Sequence, residues 1–252
     1  MLGLTLVGKS DTGLVRTNNE DAFLVSAELG FAALADGMGG AAAGELASKF
    51  FINAALEVFS QNNRGDAQCL LRKSFALANK MILDHADANP EHKGLGCTAE
   101  LLTFFDNCFA LAHVGDSRTY LLRDSELKAL TQDHSFVQEL INKGVINAQE
   151  ARQHRMRHVI LRAVGQHENL EVELIHGDAV PGDIFLLCSD GLTDMIEDCL
   201  IQSILAEPLE LGARAQKLID AAKDSGGHDN VTVVLCEVVE QDEIATYIQV
   251  PK

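Results

Sequence analysis

Four aspartates stand where apolar runs meet tight turns: Asp36 in FAALADGMGG, Asp116 in FALAHVGDSR, Asp190 in IFLLCSDGL and Asp229 in GGHDNVTVVLC. The first three close a strand-like run and the fourth opens one. In an antiparallel sheet the end of one strand lies beside the start of the next, so four such carboxylates can meet at one sheet edge. Acids brought that close repel one another, and the group must take up protons or hold cations. Oxygen-only ligands of this kind suit hard ions such as magnesium or manganese. Asp36-Gly37 and Asp190-Gly191 share one context, strand then Asp-Gly then helix. The glycine lets the chain turn sharply and a backbone carbonyl come close to an ion.

A second constellation is Arg16 with Glu20 and Asp21 in SDTGLVRTNNEDAF. An arginine fork grips a pair of phosphate oxygens well; the same spacing also fits an exposed loop with an ion pair of little energetic weight. Arg118 and Arg123 compete for the phosphate role, with Arg118 expected to pair with the acids beside Asp116. Of the nine histidines only His228, beside Asp229, falls near the acidic set, and none belongs to a His-Glu-x-x-His motif. His113 reads as a strand residue, and His134, His154 and His158 fall in a polar segment away from the acidic set. A zinc site is therefore not expected, and neither a G-x-S-x-G elbow nor a nucleophilic cysteine pattern is present.

At 252 residues and 47% hydrophobic, the chain is long enough for one large domain over 1–252. A net charge of −17 opposes nucleic acid or an anionic membrane as the main partner. No apolar run reaches the ~18 residues of a membrane span, and MLGLTLVGKSDTG lacks the basic leader of a signal peptide. Six scattered cysteines with no Cys-x-x-Cys pair point to a reducing, cytoplasmic setting. A monomer is the expected state.

The elements that must position these residues follow from periodicity. Short strands are predicted at Leu2 to Val7, Ala22 to Ser26 and Phe31 to Ala35. After Gly39-Gly40 the period turns helical, with Ala47, Phe50, Phe51, Ala54, Ala55 and Val58 on one stripe. A second helix, with Leu70, Leu71, Leu77, Ala78, Met81 and Ile82 on a common face, stops before Asn89-Pro90. From Cys97 to Leu130, ELLTFFD, NCFALAHV, RTYLLRD and ELKAL read as consecutive hairpins of one antiparallel meander. Residues 131–169 read as a small helical excursion over the sheet edge, with a capping box at Ser135 and Gln138. Strands at Glu171 to Ile175 and Asp183 to Cys188, two helices and a last strand at Val231 to Val239 complete a layered α+β pattern.

The order of these motifs resembles that of the metal-dependent Ser/Thr protein phosphatases of the 2C type, in particular the compact bacterial branch. The matching pieces are SDTGLVRTNNEDA, ALADGMGGAAAGELAS, GCTAELL, HVGDSRTYLLR, LTQDHSFVQELINKGVI, HVILRAVG, GDIFLLCSDGLTDM and GGHDNVTVVLCEV, spread from about residue 8 to 239. The resemblance implies a four-layer αββα sandwich, two antiparallel sheets flanked by helix pairs, with 131–169 as a flap. It implies two or three Mn2+ or Mg2+ ions, with Asp36 bridging a pair and the Gly37 carbonyl on one of them. Asp190 and Asp229 complete the pair, Glu20 and Asp21 hold metal-bound waters or ligate directly, Asn230 orients the site, and Arg16 binds phosphate. Asp116, with Asp190, matches a further metal position, for which Asp133 is a weaker candidate. Where nuclear-genome members often carry a proton-donating His, this chain has Met38, which leaves the general acid unassigned; His158 replaces the Asn usual in the flap.

The implied reaction is hydrolysis of phosphoserine and phosphothreonine in proteins, by direct attack of a hydroxide that bridges the two ions. Phosphorylated proteins and a cognate Ser/Thr kinase are the implied partners. A phosphatase-like binding or regulatory module of low activity is the rival reading; its signature would be a substituted ligand, and the main ligands are all present.

Overall fold

The computed structural model describes residues 2–39, 44–61 and 66–240. Gly40 to Ala43 of the ALADGMGGAAAGELAS motif lie outside the described residues. The strands are β1 Leu2–Asp11, β2 Asp21–Ser26, β3 Phe31–Met38, β4 Gly96–Cys97, β5 Ala99–Phe105, β6 Cys108–Val114, β7 Arg118–Arg123, β8 Glu126–Ala129, β9 Glu173–Asp178, β10 Ile184–Cys188 and β11 Val231–Glu240. The helices are α1 Gly44–Ser60, α2 Ala67–Ala88, α3 Phe136–Asn142, α4 Ala148–Arg152, α5 Asp190–Thr193, α6 Asp198–Leu205 and α7 Leu211–Asp224.

Two antiparallel sheets form, one ordered β1-β11-β10-β7-β8 and the other β2-β3-β5-β6-β9, with β4 paired to β3. Side chains alternate along each strand, so every strand feeds two layers. Phe31, Ala33 and Ala35 of β3 join Phe51, Ala54, Leu71, Phe75 and Ala78 of α1 and α2 in one core. Leu186, Val233 and Leu235 pack on Ile201, Leu218 and Ile219 of α6 and α7 in another. The intervening residues, among them Leu34, Leu102, Leu111, Leu187 and Val234, meet between the sheets around Phe185, whose ring lies edge-on to Phe104 and Phe109. This is the expected αββα layering.

Three local expectations need correction. The four strands from Ala99 to Ala129 are not one meander: β5–β6 and β7–β8 are hairpins of different sheets, and the chain crosses between sheets at Gly115-Asp116-Ser117. Gly115 sits at φ 117°, which few residues other than glycine adopt, and a Cβ there would lie 2.5 Å from the Thr98 side chain. Ser135 accepts from the Gln138 amide at 3.3 Å, but the Gln138 side chain turns to Asn142 instead of closing a box. The reciprocal capping box is formed by Asn147 and Glu150 on α4. Finally, a single turn, α5, precedes the two expected C-terminal helices, because Asp190 itself starts a helix.

Candidate active site

Strand alternation decides which polar residues meet. Ala32 and Leu34 face the gap between the sheets, so Asp36 falls on the same side of β3, and Asp21 lies directly across from it in the β2–β3 register. On the opposite sheet Phe185 and Leu187 face the gap, and Ser189 continues that row past the end of β10; Val234 and Cys236 do so on β11, and Thr232 with them. Asp21 Oδ2 accordingly accepts hydrogen bonds from Ser189 Oγ at 2.9 Å and Thr232 Oγ1 at 2.6 Å. Asp21 Oδ1 and Asp190 Oδ1 are buried without any partner. Buried polar atoms are nearly always satisfied, so two orphaned carboxylate oxygens at one site mark a place built for a cation.

Asp116 arrives on the crossover after β6, Asp190 on the first residue of α5, and Asp229 just ahead of β11. Burial first, and then the charges of Asp21, Asp190, Asp116 and Asp229, hold the Asp36 carboxyl well above the usual range. Asp190 is raised in the same way, by burial and by Asp116, Asp194, Asp229 and Asp21. Burial pushes Asp21 up to about 6, and burial with Asp133 and Asp194 pushes Asp116 up to about 7. The carboxylates feel one another across the sheet interface.

Arg16 stands half exposed over this group and donates to Asp229 Oδ2 at 2.7 Å. Its loop is held by Asn230, which donates to the carbonyls of Thr12 at 3.0 Å and Asn18 at 2.9 Å and accepts the Glu20 amide at 2.8 Å. The Glu20 carbonyl accepts from the Gly37 amide at 3.2 Å and from Ser48 Oγ at 2.6 Å. Gly37 admits no side chain, since a Cβ would run into the Gly44 carbonyl. Glu20 Oε2 occupies the neighbouring corner, 2.6 Å from where a Cβ on Gly44 would sit.

The structure thus brings Arg16, Glu20, Asp21, Asp36, Gly37, Asp116, Asp190, Asp229 and Asn230 to one end of the sandwich. Asp133 is otherwise engaged, in a two-pronged pair with Arg118 at 2.7 and 2.8 Å. Arg123 is bound to Asp183 at 2.7 and 2.6 Å. Neither arginine remains a rival for phosphate. Met38 ends β3 opposite Gly96, and His228 is exposed with its ring against Gly226.

Sequence reasoning missed Asp194, whose charge acts on both Asp116 and Asp190. Its signal was the one-turn spacing from Asp190 in SDGLTDM. The Ser189 and Thr232 hydroxyls carry no sequence signal, because their role depends on how the sheets stack. Among the described residues, the one trio whose ligand atoms lie within 4.8 Å of one another is His113, His134 and Glu173, not a trio of the aspartates. The more open acidic arrangement suits hard ions that take one or two carboxylates each and keep several waters. Beside Asp116 and Asp190 opens a cleft of about 590 Å³, walled by Val137, Ile141, Arg157 and His158.

This sandwich with its seam of aspartates is a known architecture. A protein phosphatase 2C family model matches residues 15–207. The chain belongs to the protein phosphatase 2C family. It is 43% identical over 241 residues to the serine/threonine protein phosphatase PstP of Mycobacterium tuberculosis, covering 96% of this chain but 46% of PstP. The chain therefore spans about half the length of that relative. It is also 35% identical over 240 residues to the protein phosphatase PhpP of Streptococcus pneumoniae, covering 92% of this chain and 97% of PhpP. The catalytic domain of PstP, solved in complex with two manganese ions, superimposes with a TM-score of 0.88 at 41% identity, covering 95% of this chain and all of that one.

Proposed function

We propose that this chain is the catalytic unit of a metal-dependent protein phosphatase acting on phosphoserine and phosphothreonine in proteins. The observation that carries the reading is the pair of buried, unpartnered oxygens on Asp21 and Asp190 within an oxygen-only cluster drawn from both sheets. The relatives' names, PstP and PhpP among them, and the manganese complex of the PstP catalytic domain support it.

Divalent ions bound here would supply an activated water and electrostatic stabilisation of the phosphoryl oxygens. Asp36, Asp190 and Asp229 with the Gly37 carbonyl would hold an ion pair, Asp116 with Asp190 a further ion, and Glu20 would orient bound water. Asp21 is the exception to direct ligation: with Oδ2 taken by Ser189 and Thr232, one oxygen is left to face the site. Arg16 has the reach to exchange its contact with Asp229 for a phosphate oxygen pair once cations offset that carboxylate. Met38 brings no titratable group to the site, so protonation of the leaving hydroxyl falls to solvent or to bound water.

Phosphorylated proteins are the substrates in this reading, a Ser/Thr kinase supplies them, and the unit works as a cytoplasmic monomer on Mn2+ or Mg2+. Among the described residues no helix is long and apolar enough to cross a membrane. The test is phosphate release from a phosphothreonine peptide during a manganese titration. Turnover that rises with bound metal is expected; an intact fold that binds manganese yet releases no phosphate would sink the proposal.

A further inference from the structure

The trio of His113, His134 and Glu173 has the spacing of an ion site, but its protons forbid one. Gly115 donates its amide to His134 Nδ1 at 3.1 Å, so that nitrogen is an acceptor and the proton resides on Nε2, which faces Glu173 Oε2 at 3.3 Å. His113 bonds through Nδ1 to the Glu100 carboxylate and through Nε2 to the Gln132 carbonyl at 3.1 Å, both acceptors. Facing an ionised Glu100, both ring nitrogens carry protons: burial opposes the charge and raises Glu100 as well, but the carboxylate lifts His113 to about 9. Burial and the adjacent His113 charge keep His134 neutral, with its pKa lowered to about 3. No ring nitrogen is left for a cation.

What the trio does is mechanical. Three polar atoms of His134 are hydrogen-bonded and the fourth, Nε2, lies 3.3 Å from Glu173. Its amide donates to the Gly115 carbonyl at 2.7 Å and its carbonyl accepts from the Leu161 amide at 2.7 Å. Nδ1 returns to the Gly115 amide, Nε2 reaches Glu173 on β9, and the ring stacks on His113 with centroids 4.5 Å apart. Gly115 precedes Asp116. Leu161 follows the bridge between Ser135 and Ile160 that closes the stem of the 131–169 segment. One residue thus ties these parts together: its backbone joins the Asp116 crossover to the far arm of the stem, and its side chain adds a second bond to the crossover and reaches the sheet edge.

We infer that His134 is a positioning residue that holds the Asp116 crossover and the 131–169 stem in one register, so that metal uptake through Asp116 and docking of a phosphoprotein depend on it together. The inference rests on the phosphatase reading of the site. Two replacements separate its contacts: in His134→Asn the amide oxygen stands where Nδ1 stood and keeps the Gly115 contact, while in His134→Gln the amide nitrogen stands near Nε2 and keeps only Glu173.

The test compares the two variants with wild type by amide exchange at Gly115, by manganese binding isotherms, and by kcat and KM on a phosphopeptide and on a small aryl phosphate. His134→Gln is expected to speed Gly115 exchange about tenfold and to weaken manganese binding about tenfold. It should also raise KM for the phosphopeptide more than for the aryl phosphate. His134→Asn is expected to keep most of all three properties. Equal losses in the two variants, or none in either, would overturn the positioning role. Exchange is read without turnover, so it decides that role even if wild type released no phosphate, a result that would tell against the phosphatase reading instead.

Discussion

The interface between the sheets contains two polar regions built from the same materials and left in opposite states. Glu100, His113 and Thr119 point into it from β5, β6 and β7; Glu100 takes a hydrogen bond from Thr119 at 2.6 Å, and every charge there has its partner. Beside them Asp116 is buried and Asp21, Asp36 and Asp190 are half-buried, yet they face one another and two of their inner oxygens have no partner. A buried ion pair that satisfies itself holds structure together, and breaking one side strands the other. Buried acids that repel one another cost stability and are explained only by something they bind.

Substitution should split the regions cleanly. The largest effect is expected for Asp36→Asn, which should cut manganese-dependent turnover by about a thousandfold or more while leaving metal-free melting unchanged or higher, since one repelling carboxylate is gone. A lowered metal-free melting temperature would mean that the acids support the fold after all. Glu100→Ala should do the converse. It removes the carboxylate that keeps His113 charged, so the buried ring gives up its proton and its Nδ1 is left unpaired, at a cost of about 3 kcal/mol in urea unfolding.

Arg16→Ala should lower kcat/KM by about a hundredfold and, because Arg16 is half exposed, change stability by no more than ~0.5 kcal/mol. The smallest effect is in pH. Asp21 near 6 and Asp116 near 7 sit above the unfolded carboxylate value of ~3.9, so the folded chain holds protons that the unfolded chain has lost. Metal-free stability should therefore fall as pH rises from about 4 through about 7. The extra stability conferred by manganese should grow over the same window, because binding displaces those protons. Melting curves with and without manganese across that range check both signs.

How much of this was legible in the sequence differs between the two regions. The acidic set announced itself because Asp-Gly at strand ends and the motifs around Arg16, Asp36, Asp190 and Asp229 are local signals. The helices α1, α2 and α7 were equally plain, since their apolar stripes lie within one element. Hidden were contacts that depend on which sheet a strand joins. NCFALAHV and RTYLLRD look like hairpin neighbours, yet they part at Gly115 into different sheets. That crossover brings Thr119 to Glu100 and His134 to Gly115. His113 and His134 lacked any ligand spacing because their partners come from other strands. Ser135–Gln138 resembled a capping box, but Asn142 competes for the glutamine, and that competition is invisible in a four-residue pattern.

Asp21 and Asp36 hang from one sheet, while Asp190 and Asp229 come from the other. The jaws of the site are therefore set apart by whatever fills the sandwich behind them, and Phe185, wedged between Phe104 and Phe109, acts as the spacer of that calliper. Trimming this ring, far behind any ligand, would narrow the grip on a cation pair without touching one acidic residue.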